Sequence, residues 1–356
     1  MTPGRHAGRK TVPLWAVVFA LAALAGGGFA LADRVADDPA PPGLRASGAG
    51  PSSPSAGVSS PVQASASPSA AAKGSLLIHG AGDVSLDPSY ISSYASQGYG
   101  YAWSGMGGLF RRDDLTIVNL ECAVSDLGTA VPKEFNFRGD PAALPVMRDA
   151  GVEVANLGNN HSYDFGPDAL LDTVRNVNRA GLAPVGAGAT QEDALAPALF
   201  ELRGWRVAVL GFDQVVDPFP EAVATDSKPG TAAGHDTGLM IDSVRGAADR
   251  ADIVVVMIHW GVELDTQPRA DQVGLGHRMI EAGADVIFGG HSHRLQPMET
   301  YHDRPIFYSL GNFVWPNFSE AGSKTAVAEV TVTPQGRFRG RLLPATITAP
   351  GHPVLR

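Results

Sequence analysis

The hydrophobic pattern changes character twice along the chain. From Val12 to Ala32 there are 21 residues without a charge, among them Leu14, Trp15, Val17, Val18, Phe19, Leu21, Leu24 and Phe29. At about 1.5 Å per residue, a helix of that length crosses a bilayer core of roughly 30 Å. No polar face interrupts the run, so it does not read as a buried globular helix. Arg5, Arg9 and Lys10 precede it and no acid does. That flank keeps the N-terminus cytoplasmic and sends the remainder outward. Two readings of residues 1–32 stay open. Ala30-Leu31-Ala32 before Asp33 fits a cleaved signal peptide, whereas the length of the run fits an uncleaved membrane anchor. Both predict an extracytoplasmic protein, secreted or anchored to the cell membrane. No Cys follows the run closely enough for a lipoprotein anchor.

Residues 33–74 have no periodicity. Ala, Ser, Pro and Gly fill 31 of these 42 positions, and no aromatic residue is present. Such a stretch buries too little apolar surface to offset its ordering entropy, so a disordered linker is expected.

From Ser75 onward, short apolar runs recur, each closing on a polar or Gly-rich turn. They are 76–78, 115–120, 152–157, 207–212, 253–258, 286–288 and 306–310. Continuous runs of this kind suit strands buried on both faces. Helical patterns lie between them. One starts at Pro167, continues through Leu170, Leu171, Val174 and Val177, and stops at Gly181. Another covers 270–282 and ends at Gly283. Residues 325–332 and 337–348 alternate around Pro334-Gln335-Gly336 and predict a hairpin. The expectation is a single layered α/β domain over residues 75–356.

Composition narrows the function. The chain has 356 residues, 44% of them hydrophobic, which excludes a disordered protein. Cys122 is the only cysteine, so no disulfide forms within the chain. Six of the 27 basic and three of the 36 acidic residues precede Ser75, leaving the domain at −12. That balance argues against a nucleic-acid partner bound by phosphate neutralisation.

Chemistry-bearing residues follow the predicted strands, where open α/β folds place their ligands. Gly82-Asp83-Val84-Ser85, Asn119-Leu120-Glu121, Asn159-Asn160-His161, His259-Trp260-Gly261 and Gly290-His291-Ser292-His293 each close a strand. Carboxylates, an amide and imidazoles at successive strand ends are the donors of a divalent metal centre.

The last four of these turns, together with Arg294-Leu295-Gln296-Pro297 and Tyr308-Ser309-Leu310-Gly311-Asn312-Phe313, resemble the CapA family. Its members are bacterial capsule or poly-γ-glutamate synthesis proteins related to calcineurin-like metallophosphoesterases. The resemblance implies a four-layer α/β/β/α sandwich. It implies one or two divalent ions, with manganese, zinc and iron as candidates. Carried over by residue, it implies Asp83 and His293 at the first metal, Glu121 as the bridging carboxylate, and Asn160, His259 and His291 at the second. His161 becomes a general acid beside the leaving group. Asp164 orients that imidazole, caps the helix at Pro167, or does both. Arg138 and Asn312 either contact an anionic substrate or hold loops. One position departs from the wider superfamily: Ser85 stands where its Asp-x-His motif has the histidine, which leaves the first metal short of a strong ligand.

The remaining candidates read as structural. Cys122 should point away from the site by strand alternation, and His79 should be a packed core residue. Trp260 should pack beside the centre. His235, His277, His302 and His352 belong to no pattern.

Three functions compete. One is a metal-dependent hydrolase acting on a phosphoester or related bond. The second is a capsule or poly-γ-glutamate factor that handles an anionic polymer. The third is a non-catalytic scaffold for a membrane synthase, docked through the N-terminal segment. The second reading, with a hydrolase-type metal centre, is the one expected.

Overall fold

The computed structural model describes residues 72–215 and 219–356. The signal or anchor reading of 1–32, and the linker reading up to residue 71, lie outside the described residues. Within them, no helix is long and apolar enough to cross a membrane. All of them fall in one compact unit.

Two sheets form the centre. In the first, strands Leu76–Val84, Leu115–Leu120, Val154–Asn156 and Ala183–Val185 run parallel and adjacent. In the second, Trp205–Asp213, Ile253–His259, Val286–Gly290 and Arg304–Phe307 run parallel, with antiparallel strands Ala198–Leu202 and Met298–Tyr301 at the edges.

Side-chain alternation explains why the sequence runs are apolar throughout. Leu76, Ile78, Leu115, Ile117, Val207, Val209, Ile253, Val255 and Met257 fill the cluster between the sheets. Their neighbours face outward. Val118 and Leu120 pack with Leu170 and Val177 of helix Gly166–Arg179. Ala208, Leu210, Val254 and Val256 pack with Met240 and Val244 of helix Thr237–Ala248 and with Leu275 and Met279 of helix Ala270–Ala282. Three separate apolar layers therefore divide four structural ones, helix, sheet, sheet, helix. This is the α/β/β/α sandwich that the resemblance implied.

The C-terminal hairpin forms as expected. Lys324–Val332 pairs antiparallel with Phe338–Ala349, and His352–Leu355 adds a further strand. The hairpin is not an appendage. Lys324–Val332 pairs with Leu76–Val84, from Leu76↔Val332 to Gly80↔Ala328, and completes the first sheet. The first predicted run is also longer than its apolar core. It continues through Gly80 and Gly82 to Val84 and so carries Asp83 within a strand.

Candidate metal centre

Parallel strands end together, so the carboxyl ends of each sheet present their polar turns at one edge. Asp83 lies one residue before the end of Leu76–Val84, and Glu121 directly follows Leu115–Leu120. Asn160 and His161 sit in the turn after Val154–Asn156. From the second sheet, His259 closes Ile253–His259, and His291 and His293 follow Val286–Gly290.

These residues form two overlapping donor groups, Asp83 with Glu121 and His293, and Glu121 with His259 and His291. Within each group the ligand atoms lie within 4.8 Å of one another. His259 Nε2 is 3.4 Å from Glu121 Oε1, 3.1 Å from His291 Nδ1 and 3.0 Å from Asn160 Oδ1. His293 Nδ1 is 3.3 Å from Asp83 Oδ2, and its Nε2 is 3.8 Å from Glu121 Oε1.

Glu121 supplies the test of fit. Both of its oxygens are buried without a hydrogen-bond partner. His259 Nε2, at 3.4 Å, makes no hydrogen bond to Glu121, and His293 Nε2, at 3.8 Å, is too far for one. A buried carboxylate in that condition is costly to the fold. Divalent ions held by the two groups would satisfy it, and the mixed oxygen and nitrogen donors suit such ions. Burial, reinforced by the Asp83 charge, pushes the Glu121 carboxyl well above its ordinary range. Burial holds His259 down to about 4 and His291 well below its usual value, so both rings are neutral and ligand-ready at neutral pH. Burial also disfavours charge on His293, but the Glu121 and Asp83 carboxylates override it and carry the ring up to about 9. Burial opposes ionisation of Asp83, yet hydrogen bonding and charge from His293 keep it below the usual value.

The backbone is fitted to this arrangement. A Cβ on Gly290 would lie 2.6 Å from Asp83 Oδ1. His291 and His293 both adopt left-handed backbone conformations, with φ of 88° and 52°. Strain of this kind in non-glycine residues persists only where the surroundings impose it.

Asn119 is the hub behind the donors. Its Nδ2 donates to Asp83 Oδ1 at 2.8 Å and lies 3.0 Å from His259 Nδ1. Its Oδ1 accepts from Asn156 and Asn159. The sequence motif contained Asn119, but a cross-sheet role for it had no sequence signal.

His161 stands beside the second group. Its Nδ1 is 2.8 Å from Asp164 Oδ2, so Asp164 orients the ring. Asp164 also accepts from Phe137 N at 2.7 Å and from Lys133 Nζ at 2.6 Å. The capping role expected as an alternative for Asp164 is not present: helix Gly166–Arg179 is preceded by Phe165 and has no side-chain cap. Lys133 also donates to Asn160 O at 2.7 Å. It lies in an irregular loop, where no periodicity marks it in the sequence.

The two substrate candidates are engaged by the protein. Arg138 donates to the carbonyls of Ser125, Leu127 and Gly128 and covers the Phe165 ring, so it clasps a loop. Asn312 Oδ1 accepts from His293 Nδ1 at 2.8 Å, while its Nδ2 donates to Gly322 O. It therefore positions a proposed ligand. Ser85 Oγ accepts from Asp87 N, and no imidazole stands in its place. Cys122 is buried, with Sγ accepting from Leu86 N, and burial pushes its thiol far up. His79 is buried against Asp113 at 2.6 Å. Trp260 is buried and donates to Tyr308 O.

Residues 78–317 match the profile of the bacterial capsule synthesis protein PGA_cap. The chain is 33% identical over 242 residues to the PGA biosynthesis protein CapA of Bacillus subtilis, covering 67% of this chain and 63% of that protein. It is 37% identical over 188 residues to the capsule biosynthesis protein CapA of Bacillus anthracis, covering 51% and 45%. A probable polyglutamine synthesis accessory protein of Mycobacterium tuberculosis is 32% identical over 210 residues, covering 56% and 55%. The chain thus spans less than two thirds of each relative. Among solved structures, the NAD nucleotidase of Haemophilus influenzae is similar with a TM-score of 0.47 and 15% identity, covering 77% of this chain and 56% of that one. With residues 78–317, two thirds of its length, matched by the family profile, the chain belongs to the bacterial capsule synthesis (PGA_cap, CapA) family.

Proposed function

We propose that this protein is an extracytoplasmic factor of capsule or poly-γ-glutamate assembly whose domain holds one or two divalent ions and cleaves or remodels an anionic polymer. The names of the related proteins support the polymer. The observation that carries the metal is Glu121, whose two buried oxygens lie unpartnered between two donor groups.

Bound ions would supply Lewis acidity and offset negative charge at the reacting bond. The chain's own residues supply position and protons. Asp83, Glu121 and His293 would hold one ion, and Glu121, His259, His291 and Asn160 the other. Asn119 and Asn312 fix the orientation of these donors. Asp164 holds His161 by Nδ1, which leaves Nε2 as the face toward substrate. Burial, opposed by the Asp164 charge, lowers His161 to about 4. The resting ring is therefore neutral and accepts a proton. It donates one to a leaving group only after an anionic substrate has raised its pKa.

The decisive experiment measures metal content of the purified full chain, then analyses products from poly-γ-glutamate and from generic phosphoesters. One or two divalent ions and shortened or modified polymer are expected. A chain that binds no divalent ion sinks the metal reading. Turnover of phosphoesters alone transfers the protein to the phosphoesterase reading.

A further inference from the structure

Beside His293 the surface opens into a cavity of about 170 Å³. Arg294, Leu264, Trp315, Phe318 and Ser319 line it, with His293 and Asn312. Asn312 is buried, whereas Phe318 and Leu264 are 76% and 59% exposed, so the cavity runs from the proposed metal centre to an apolar lip.

Arg294 stands apart from the other cations near the centre. Lys133 is paired with Asp164, and Arg138 is spent on loop carbonyls. Arg294 donates through Nη1 to His293 O at 2.7 Å. Its Nε and Nη2 have no acceptor, and its charge no carboxylate, among the described residues. In a strongly acidic domain, that leaves one open guanidinium edge beside the centre.

The cavity continues into an aromatic wall. Trp315 stacks on His293 with ring centroids 4.8 Å apart, and Phe137 meets His161 at 4.4 Å. Tyr90 bridges them, 5.6 Å from Trp315 and 4.5 Å from Phe137, and also touches Phe318. The wall therefore runs along the donor residues from one group to the other.

We infer that this cavity is a subsite for one carboxylate-bearing unit of the polymer, its carboxylate on Arg294 and its methylenes against Trp315 and Phe318. The inference rests on the polymer reading above and names how that polymer is recognised. A guanidinium fork matches a carboxylate in two parallel hydrogen bonds. The volume is well under the roughly 300 Å³ of a drug-sized site, so it suits a single unit rather than a chain segment. A phosphate dianion would leave oxygens facing apolar rings, at a desolvation cost.

The test uses the full chain and two probes, a γ-linked glutamate pentamer and the same pentamer with its pendant carboxylates amidated. Affinity is measured before and after chelation, because bound metal also attracts carboxylates. The wild type should prefer the charged pentamer by about tenfold or more, with part of that preference surviving chelation. Arg294→Gln should remove the surviving part while metal content stays unchanged, and Arg294→Lys should restore only some of it. If Arg294→Gln fails to fold, the chelated wild type decides: no preference overturns the subsite. Equal binding of the charged pentamer by wild type and Arg294→Gln overturns the subsite and leaves the polymer reading standing. If metal-loaded wild type binds neither pentamer yet turns over a phosphoester, both fall.

Discussion

The two donor groups share Glu121 and little else. The first has two carboxylates and one imidazole, and its His293 side chain is 15% exposed, at the cavity. The second has two buried imidazoles beside the shared carboxylate, with the Asn160 amide 3.0 Å from His259. Ser85 adds nothing to the first, since its hydroxyl serves Asp87 N. The difference teaches that the two positions are unequal. If both hold ions as proposed, the nitrogen-rich, closed group would favour zinc-like ions, and the oxygen-rich, more open one would hold its ion more weakly.

The harshest test of that contrast removes what the groups share. Glu121→Gln should strip both positions of metal, read as stoichiometry after dialysis. Retention of one full equivalent would show that Glu121 does not bridge. His291→Ala should cost the tighter ion alone; loss of the weaker ion instead would invert the assignment. Asn119→Ala leaves every donor in place but frees Asp83 and His259, so a decrease of about 10–100-fold in metal affinity is expected at both positions. Ser85→His should tighten only the first position and narrow the gap between the two.

The smallest effect is a pH slope in the metal-free chain. His259 is lowered to about 4 in the fold from an ordinary 6.5. The unfolded chain then binds more protons between those values, so stability is complete above about 6.5 and is lost as pH falls toward 4. His259→Asn should flatten the acid limb of the urea midpoint plotted against pH. An unchanged limb would place its origin in other groups.

Much of the sandwich was legible because its central strands are apolar on both faces. The 115–120 run and the helix over 270–282 coincide with Leu115–Leu120 and Ala270–Ala282. Edge strands carried weaker signals. Ala198–Leu202 alternates between half-buried and exposed positions, and Met298–Tyr301 is mostly half-buried, so neither shows a continuous run. Gly80 and Gly82 hid the far half of the first strand. A Cβ on Gly80 would meet the Phe288 ring at 2.7 Å, so the residue is dictated by the opposite sheet rather than by strand propensity.

The candidate site divides in the same way. Asp83, Glu121, Asn160, His259, His291 and His293 were readable because each follows an apolar run in a motif with order and spacing. Lys133 gave no such sign, and Arg294, although it opens a quoted motif, gave no sign of an open charge. Lys133 reaches His161 and Asp164 from a loop without periodicity, and Arg294 matters through what it lacks, an acidic partner.

By itself the sequence determined which segments become buried strands and which residue types end them, since burial on two faces demands unbroken apolar runs and turns collect the polar groups. The tertiary structure alone decided which oxygens go unpartnered, which cation stays open and which amide ties the two sheets together. Those depend on distances between residues as far apart as Asn119 and His259, and only packing sheet on sheet sets them.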